Sequence, residues 1–446
     1  MFYTTRNLRP SLGKGFNSSF LRPVPPRTTS PTSSFVRSAT NHLRFFHVHA
    51  SRRLSTSYQR ANLIELKTMA QQKEILVAIV GVGLVGSELI GQLLSIPASR
   101  SPFKLVALTS SKATLYASPQ EPISLDRLGQ WKALFAASQD KADLTELAAK
   151  LSGWLAEGRA SGRQVVVVDN TSNEDVASRY PEWLKAGFSV ATPNKKAFSG
   201  EKGLFDEIVA ASGVSGAKWL NESTVGAGLP VINTLKELVA SGDKVKKIEG
   251  VFSGTMSYIF NEFSTGKSDG PAFSSVVAVA REKGYTEPHP ADDLNGFDVA
   301  RKLTIVSRII SSFSNEPTNL PELQSFLSVQ TQSLIPAALE GIPTGDEFIK
   351  RLPEFDAEFA TLREEAAKEG KVLRFVGVVD VENGVVKAGL EKYSTSHPFA
   401  TSLGGSDNII MFHTERYSPR PLIVQGSGAG AAVTAMGVLG DLLKLA

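Results

Sequence analysis

The sequence predicts an α/β fold built on a parallel, doubly wound sheet, and three observations carry that reading. Ile75–Val80 is a short β-type apolar run that passes straight into Gly81-Val82-Gly83-Leu84-Val85-Gly86 and then into a helical pattern over residues 87–94. Two further buried-type runs, residues 164–168 and 189–191, each end in a polar cluster. Finally, residues 422–424, a glycine-rich turn at 426–430 and a helical run at 431–444 repeat the strand, turn and helix order of the beginning.

Composition fits a globular chain: of 446 residues, 42% are hydrophobic and 21% charged, enough for one large core or two to three ordinary ones. The longest uninterrupted apolar and glycine run, residues 75–86, is far below the roughly 20 residues that span a bilayer, so no membrane segment is expected. The net charge is +4, but residues 1–64 hold nine Arg, one Lys and no acid, which leaves the remainder at −6. The basic balance therefore belongs to the leader and gives no reason to expect a nucleic-acid partner. That leader is rich in Arg, Ser and Thr, as mitochondrial transit peptides are. It predicts the mitochondrial matrix if it is used, and the cytoplasm if Met69 is the working start. In both cases residues 1–70 are expected to lie outside the fold.

The chain has no cysteine. Disulfides, Cys-ligated zinc and thiol nucleophiles are thereby excluded, and any aldehyde chemistry is expected to be reduction without a covalent thiohemiacetal. Three of the six His (His42, His47, His49) fall in the leader, leaving His289, His397 and His413. Lysine and carboxylates come first as catalysts.

The elements follow in order. After Ile75–Val80, the first glycine of the turn makes the bend, the second admits a pyrophosphate and the third lets the helix pack closely, while the helix N-terminus faces the phosphates. This is a Rossmann-type dinucleotide unit, with Gly81, Gly83, Leu84, Val85 and Gly86 as contacts; a merely structural glycine turn is the alternative. The next strand, Phe103–Thr109, ends in Thr109-Ser110-Ser111-Lys112, where an NAD-specific domain usually carries an acid for the ribose. Ser110 and Lys112 instead suit a 2′-phosphate, which favours NADP over NAD; Lys112 also reads as a solvated loop lysine. Residues 131–155 are helical. The strand at 164–168 runs into Asp169-Asn170-Thr171, and the one at 189–191 into Thr192-Pro193-Asn194-Lys195-Lys196. Ligands of doubly wound sheets sit beyond carboxyl ends, so Asn170, Thr171 and Lys195 are placed in the cleft; for Asn170 and Thr171 a helix N-cap is the alternative. Residues 245–253 read as a strand that turns through Ser253-Gly254-Thr255 into a helix, and residues 274–283 as another helix. Residues 312–370 read as loops and surface helix, and 372–379 with 385–390 as a hairpin around Glu382-Asn383-Gly384.

One helix is expected over residues 292–310. Val299, Leu303, Val306 and Ile310 form its apolar face, with Asp298 and Lys302 one turn apart on its flank. An exposed i,i+4 ion pair is one reading. The other is a lysine held among carboxylates and tuned to donate a proton to a forming alkoxide, favoured by Asp293 at the head of the helix and Glu287 in the proline-stiffened loop before it.

The blocks Gly81–Gly86, Asp169-Asn170-Thr171-Ser172, Thr192–Lys196, Glu222-Ser223-Thr224-Val225-Gly226-Ala227-Gly228-Leu229-Pro230, Phe252-Ser253-Gly254-Thr255, Gly284-Tyr285-Thr286-Glu287-Pro288, Asp292-Asp293-Leu294-Asn295-Gly296 and Asp298-Val299-Ala300-Arg301-Lys302 resemble fungal homoserine dehydrogenases from about residue 75 to the end. The resemblance implies NAD(P)-dependent interconversion of L-homoserine and L-aspartate 4-semialdehyde in threonine and methionine biosynthesis, with Lys302 as proton donor, Lys195 holding the reacting oxygen and the nicotinamide end, and Asp298 orienting Lys302. Glu287 and Asp293 would bind the substrate ammonium, Gly254 and Thr255 would contact the substrate, and Thr171 and Gly430 the cofactor. It also implies a structural Na⁺ site at Glu222, Val225, Ala227 and Leu229, and a homodimer. His289 departs from the family, which commonly has Asp there; a titratable ring beside Glu287 offers a route to an altered pH profile. The chain is expected to lack the ACT regulatory domain and the fused kinase of some relatives. The expected domains are residues 75–220 with 420–446 (dinucleotide binding, closed by the C-terminal strand and helix), 230–375 (an inserted α+β catalytic domain), and 220–230 with 376–420 (a dimerisation sheet). Another NADP-dependent amino-acid dehydrogenase or reductase, or a non-catalytic NADP-binding sensor, is the rival reading.

Overall fold

The computed structural model describes residues 74–97, 99–123 and 130–446; the leader expected over residues 1–70 lies outside them. The first sheet contains β1 (Ile75–Val80), β2 (Phe103–Thr109), β3 (Thr114–Tyr116), β4 (Gln164–Asp169), β5 (Phe188–Ala191) and β6 (Trp219–Leu220). They run in the order β3-β2-β1-β4-β5-β6, all parallel except for the antiparallel edge β3. Strand β1 is no more than 3% exposed at any residue, because both faces of a parallel sheet are covered. Ile75, Val77 and Ile79 pack with Leu89, Ile90 and Leu93 of the Leu84–Ser95 helix and with Ala435, Val438 and Leu442 of the Ala431–Leu443 helix. Leu76, Ala78 and Val80 point the other way, into a core holding Leu151, Tyr180 and Trp183. Each fully buried Val, Leu or Ile among them contributes about 1.5–3 kcal/mol. Strand order reverses at β1, so a crevice opens beyond the carboxyl ends of β1 and β4, where ligands of such sheets bind.

The second sheet contains β7 (Val245–Val251), β8 (Gln330–Thr331), β9 (Lys371–Asp380), β10 (Val385–Ser394), β11 (Asp407–Thr414) and β12 (Leu422–Ser427). Its order is β12-β11-β7-β9-β10-β8, antiparallel except between β10 and β8. The hairpin between β9 and β10 closes over the expected turn, with Asp380 opposite Val385. Among the described residues, no helix is long and apolar enough to cross a membrane.

Three expectations are corrected. The C-terminal helix returns to the dinucleotide sheet, but the strand before it does not: β12 pairs antiparallel with β11, from Phe412 opposite Leu422 to Asp407 opposite Ser427. A short connection after β11 favours an antiparallel neighbour, and β1 already has β2 and β4 on its two sides. Next, a boundary at 375/376 would cut through β9, and β7 pairs with both β9 and β11, so catalytic and proposed dimerisation segments share one sheet. Residues 220–230 contribute no strand to that sheet, although Leu229 lies against Gly426 of β12; the turn packs on the C-terminal helix, where the Glu222 N–H donates to Asp441 Oδ2 at 2.8 Å and Ser223 Oγ to the Thr434 carbonyl at 2.9 Å.

The third correction concerns the helix expected over 292–310, which is two: Ala291–Leu294 and Phe297–Phe313. Gly296 separates them at φ 74°, a left-handed conformation that costs glycine little. A Cβ there would lie 2.9 Å from the Phe375 ring. The break turns the Asp293 segment across the head of the longer helix. Val299, Leu303, Val306 and Ile310 are at most 1% exposed, and Gly377 on β9 lets this face sit close against the sheet.

Candidate active site

A cleft of about 760 Å³ brings together Lys195, Gly254, Thr255, Glu287, Asp293, Asp298, Lys302 and Gly430, with Ala227 on its wall. Lys302 occupies the buried flank of its helix, its side chain 8% exposed. Its ammonium lies 2.7 Å from Asp298 Oδ2, one turn earlier, and donates to the Phe252 carbonyl at 2.7 Å. That carbonyl also accepts from Asn408 Nδ2 at 3.0 Å, which fixes it in place. An ammonium has three N–H donors, so a third is left for a ligand oxygen. Burial pushes the Lys302 ammonium down; the Asp298 charge pulls it back, and the Lys195 charge adds to the lowering.

Lys195 reaches the same carboxylate from the other domain, 3.3 Å from Asp298 Oδ1. Burial alone would raise Asp298, but Lys302 and Lys195 outweigh it and hold the carboxyl well below its usual range. Two ammoniums share one anion, an arrangement that concentrates positive charge where an alkoxide would develop. The position of Lys195 follows from the tips of β4 and β5. Asp169 is buried and accepts from Tyr180 Oη at 2.5 Å, Asn194 Nδ2 at 2.9 Å and the Thr171 N–H at 2.8 Å. Thr192 Oγ1 closes the network on the Asp169 carbonyl at 2.7 Å. Burial raises the Asp169 carboxyl against these bonds.

Opposite the lysines, Asp293 Oδ2 accepts from the Glu287 N–H at 2.8 Å. Burial pushes Asp293 up to about 6, with Glu287 and Asp298 adding their charge. Two carboxyls beside a polar wall suit a ligand ammonium. Thr255 donates to the Tyr285 carbonyl at 2.5 Å, linking the Gly254–Phe263 helix to the loop that carries Glu287.

The dinucleotide contacts lie beyond β1, β2 and β4. Gly81 stands at φ 91°, and a Cβ there would be 2.9 Å from Thr171 Cγ2; a Cβ on Gly86 would be 2.0 Å from the Gly81 carbonyl oxygen. A Cβ on Gly83 would meet nothing within 4 Å, so the middle glycine faces open space, as close approach of a pyrophosphate requires. Gly83 heads the Leu84–Ser95 helix without a side-chain cap or an acid in the first turn, leaving its N–H groups for phosphate, and Leu84 beside it is 83% exposed. The N-cap alternative for Asn170 and Thr171 fails: Asn173 caps the helix that follows, while both polar side-chain atoms of Asn170 are buried without a protein partner. Ser110 Oγ accepts from the N–H groups of Lys112 and Ala113, each at 3.1 Å, so its hydroxyl shapes the turn while Lys112 is exposed.

At the turn over residues 222–229, the Glu222 carboxylate accepts from the backbone of Ile232 at 2.8 Å and Asn233 at 3.0 Å. Ala227 holds φ 55°, the one non-glycine residue with positive φ among those described. With the carboxylate engaged at the next helix, backbone carbonyls are the donors this turn has for a hard cation.

The sequence reading missed Asn408 and the Phe252 carbonyl. Asn408 carries no motif, and the Phe252–Thr255 block gives no sign that the Phe252 carbonyl itself matters; only the antiparallel pairing of β7 with β11 brings the two together. Gly428 was a usable signal: a Cβ there would fall 2.1 Å from the Asn408 carboxamide. Arg301 also lines the cleft, its guanidinium 3.5 Å from the Phe326 ring centroid.

A dinucleotide fold whose cleft holds a buried lysine paired to aspartate and faced by carboxylates defines a nicotinamide-dependent oxidoreductase. Residues 81–222 match the family model "Homoserine dehydrogenase, NAD binding domain", and residues 230–443 match "Homoserine dehydrogenase". The chain is 46% identical over 382 residues to homoserine dehydrogenase of Schizosaccharomyces pombe, covering 84% of this chain and 96% of that one. It is 46% identical over 375 residues to the Saccharomyces cerevisiae enzyme of that name, covering 84% and 98%. A crystal structure of a Candida auris protein of unknown function superposes with a TM-score of 0.74 at 43% identity, over 84% and 98% of the two chains. A hyperthermophilic archaeal homoserine dehydrogenase in complex with NADPH shares the fold, with a TM-score of 0.59 at 20% identity, over 83% and 97%. The chain belongs to the homoserine dehydrogenase family.

Proposed function

We propose that this oxidoreductase interconverts L-aspartate 4-semialdehyde and L-homoserine, with Lys302 as the proton donor in reduction. The observation that carries the reading is the Lys302–Asp298–Lys195 group at the base of the cleft, 2.7 and 3.3 Å across its two ion pairs. NAD(P), when bound, supplies the hydride. The open face at Gly83 and the unpartnered carboxamide of Asn170 fit such a group, and Gly81, Gly86, Thr171 and Gly430 would border it. Lys302 donates its proton to the carbonyl oxygen as negative charge grows there, and Asp298 keeps the ammonium aimed. Lys195 stabilises the same oxygen. Glu287 and Asp293 hold the substrate ammonium and so select an amino acid over a simple aldehyde. Exposed Lys112 in a strand tip without an acid supports NADP over NAD.

Three further elements belong to this reading. Backbone carbonyls of Glu222, Val225, Ala227 and Leu229, in the turn where Ala227 holds a positive φ, would hold Na⁺. Exposed apolar side chains on the C-terminal helix and β12, namely Met436 (48%), Leu443 (52%) and Ile423 (42%), support a homodimer. The leader would direct the chain to the mitochondrial matrix; imaging beside a version starting at Met69 distinguishes that from the cytoplasm. The reaction is tested by NADPH oxidation with L-aspartate 4-semialdehyde alongside unrelated aldehydes. Semialdehyde-dependent oxidation with L-homoserine as product is expected, and its absence would sink the proposal.

A further inference from the structure

Glu287 sits on a loop, residues 284–290, between the helices Phe273–Glu282 and Ala291–Leu294. Its N–H donates to Asp293 Oδ2 at 2.8 Å, and Glu287 lines the cleft. The ring of His289 links the loop to a part of the chain more than 50 residues away. His289 Nδ1 accepts from the Ala291 N–H at 3.2 Å, so the ring proton is on Nε2, which donates to the Ile342 carbonyl at 2.9 Å. The ring packs 5.5 Å from that of Phe348. The neighbouring contacts are equally close: Arg281 reaches the Pro288 carbonyl at 3.3 Å and Asp346 at 2.6 Å, and a Cβ on Gly345 would be 2.6 Å from the Pro288 carbonyl oxygen. Glycine at 345 lets the two segments meet.

We propose that His289 is a positioning residue that braces the 284–290 loop against the Ile342–Phe348 segment and thereby sets Glu287 for the substrate ammonium. The inference rests on the assignment of Glu287 to that ammonium. The brace acts on substrate binding alone, because the ring touches neither the lysine pair nor the dinucleotide turn.

The two bonds can be separated by substitution in the full-length protein. In His289→Asn the carboxamide keeps an acceptor for Ala291 but is too short to reach Ile342. In His289→Gln an N–H can reach the Ile342 carbonyl. We expect His289→Asn to raise KM for L-aspartate 4-semialdehyde about three- to tenfold, the scale of one lost neutral hydrogen bond, with kcat and the Kd for NADPH unchanged within about twofold. His289→Gln should restore most of the loss. Gly345→Ala, which pushes the segments apart without touching the ring, should reproduce the KM effect and decides the matter if His289→Asn fails to fold. Glu287→Gln is the control. An unchanged KM in both His289→Asn and Gly345→Ala, with KM raised in Glu287→Gln, overturns the brace and leaves the assignment of Glu287 standing. Unchanged KM in Glu287→Gln removes that assignment and the brace with it. A parallel fall in kcat and NADPH affinity would reduce His289 to general structural support and also overturns the proposal.

Discussion

Replacing Lys302 with methionine keeps an unbranched side chain only one atom shorter and removes the ammonium. The fold should survive the change, because Asp298 keeps Lys195 at 3.3 Å and is not left as an uncompensated buried charge, the case that costs about 3–5 kcal/mol. What is lost is the proton donor and its charge. General acid catalysis contributes about 10²–10⁴-fold, which at 1.36 kcal/mol per decade is about 3–5 kcal/mol of barrier. The Phe252 carbonyl loses its 2.7 Å partner but keeps Asn408 at 3.0 Å, so little reorganisation should dilute the effect. Lys302→Met should therefore lower kcat by at least about 10²-fold, with the Kd for NADPH nearly intact, as read by steady-state NADPH oxidation and by fluorescence titration of the cofactor. A rate near that of the wild type would show that the 298/302 pair is only an ion pair on a helix flank.

Three other perturbations separate parts of the site. Asp293 has its folded pKa raised to about 6 from 3.8; a carboxyl shifted this way costs stability as pH rises above its unfolded value, and the cost is complete above about 6. Asp293→Asn should thus raise the Tm of the ligand-free protein at pH 8 while weakening substrate binding, and an unchanged or lower Tm would contradict the buried-carboxylate argument. Gly83→Val should leave Tm near that of the wild type and raise the Kd for the cofactor at least tenfold, whereas Gly86→Ala, whose Cβ would meet the Gly81 carbonyl at 2.0 Å, should lower Tm; equal effects of the two on Tm would refute the division of roles. Ser110→Asp, at the tip of β2, should shift the kcat/KM ratio from NADPH towards NADH, and an unchanged ratio would refute the reading of that tip.

The dinucleotide domain was legible because its signals are local. The β1 strand, the glycine turn and the helix after it are contiguous, and the apolar residues at 299, 303, 306 and 310 mark a buried helix face by spacing alone. The break at Gly296 was hidden: a single glycine in a helical pattern is tolerated at a cost of about 1 kcal/mol, and the ring of Phe375 that a Cβ there would meet lies far along the chain. The sheet membership of β12 was hidden for a related reason. A three-residue apolar run followed by glycines fits either sheet, and pairing partners are set by tertiary context. Among the site residues, Asp298 and Lys302 could be paired from their spacing. The contact of Lys195 with the same carboxylate could not, since it depends on a buried Asp169–Tyr180–Asn194 network whose members are up to 25 residues apart.

The central claim is direct hydride transfer to the aldehyde carbon coupled to proton delivery from Lys302. It is tested most directly by incubating the full-length protein with L-aspartate 4-semialdehyde and NADPH deuterated at the transferring position of nicotinamide C4, then analysing the product by mass spectrometry and NMR. L-Homoserine carrying one deuterium on its hydroxyl-bearing carbon is predicted, formed at least 10²-fold more slowly by Lys302→Met. Unlabelled homoserine, or no homoserine at all, would contradict the account.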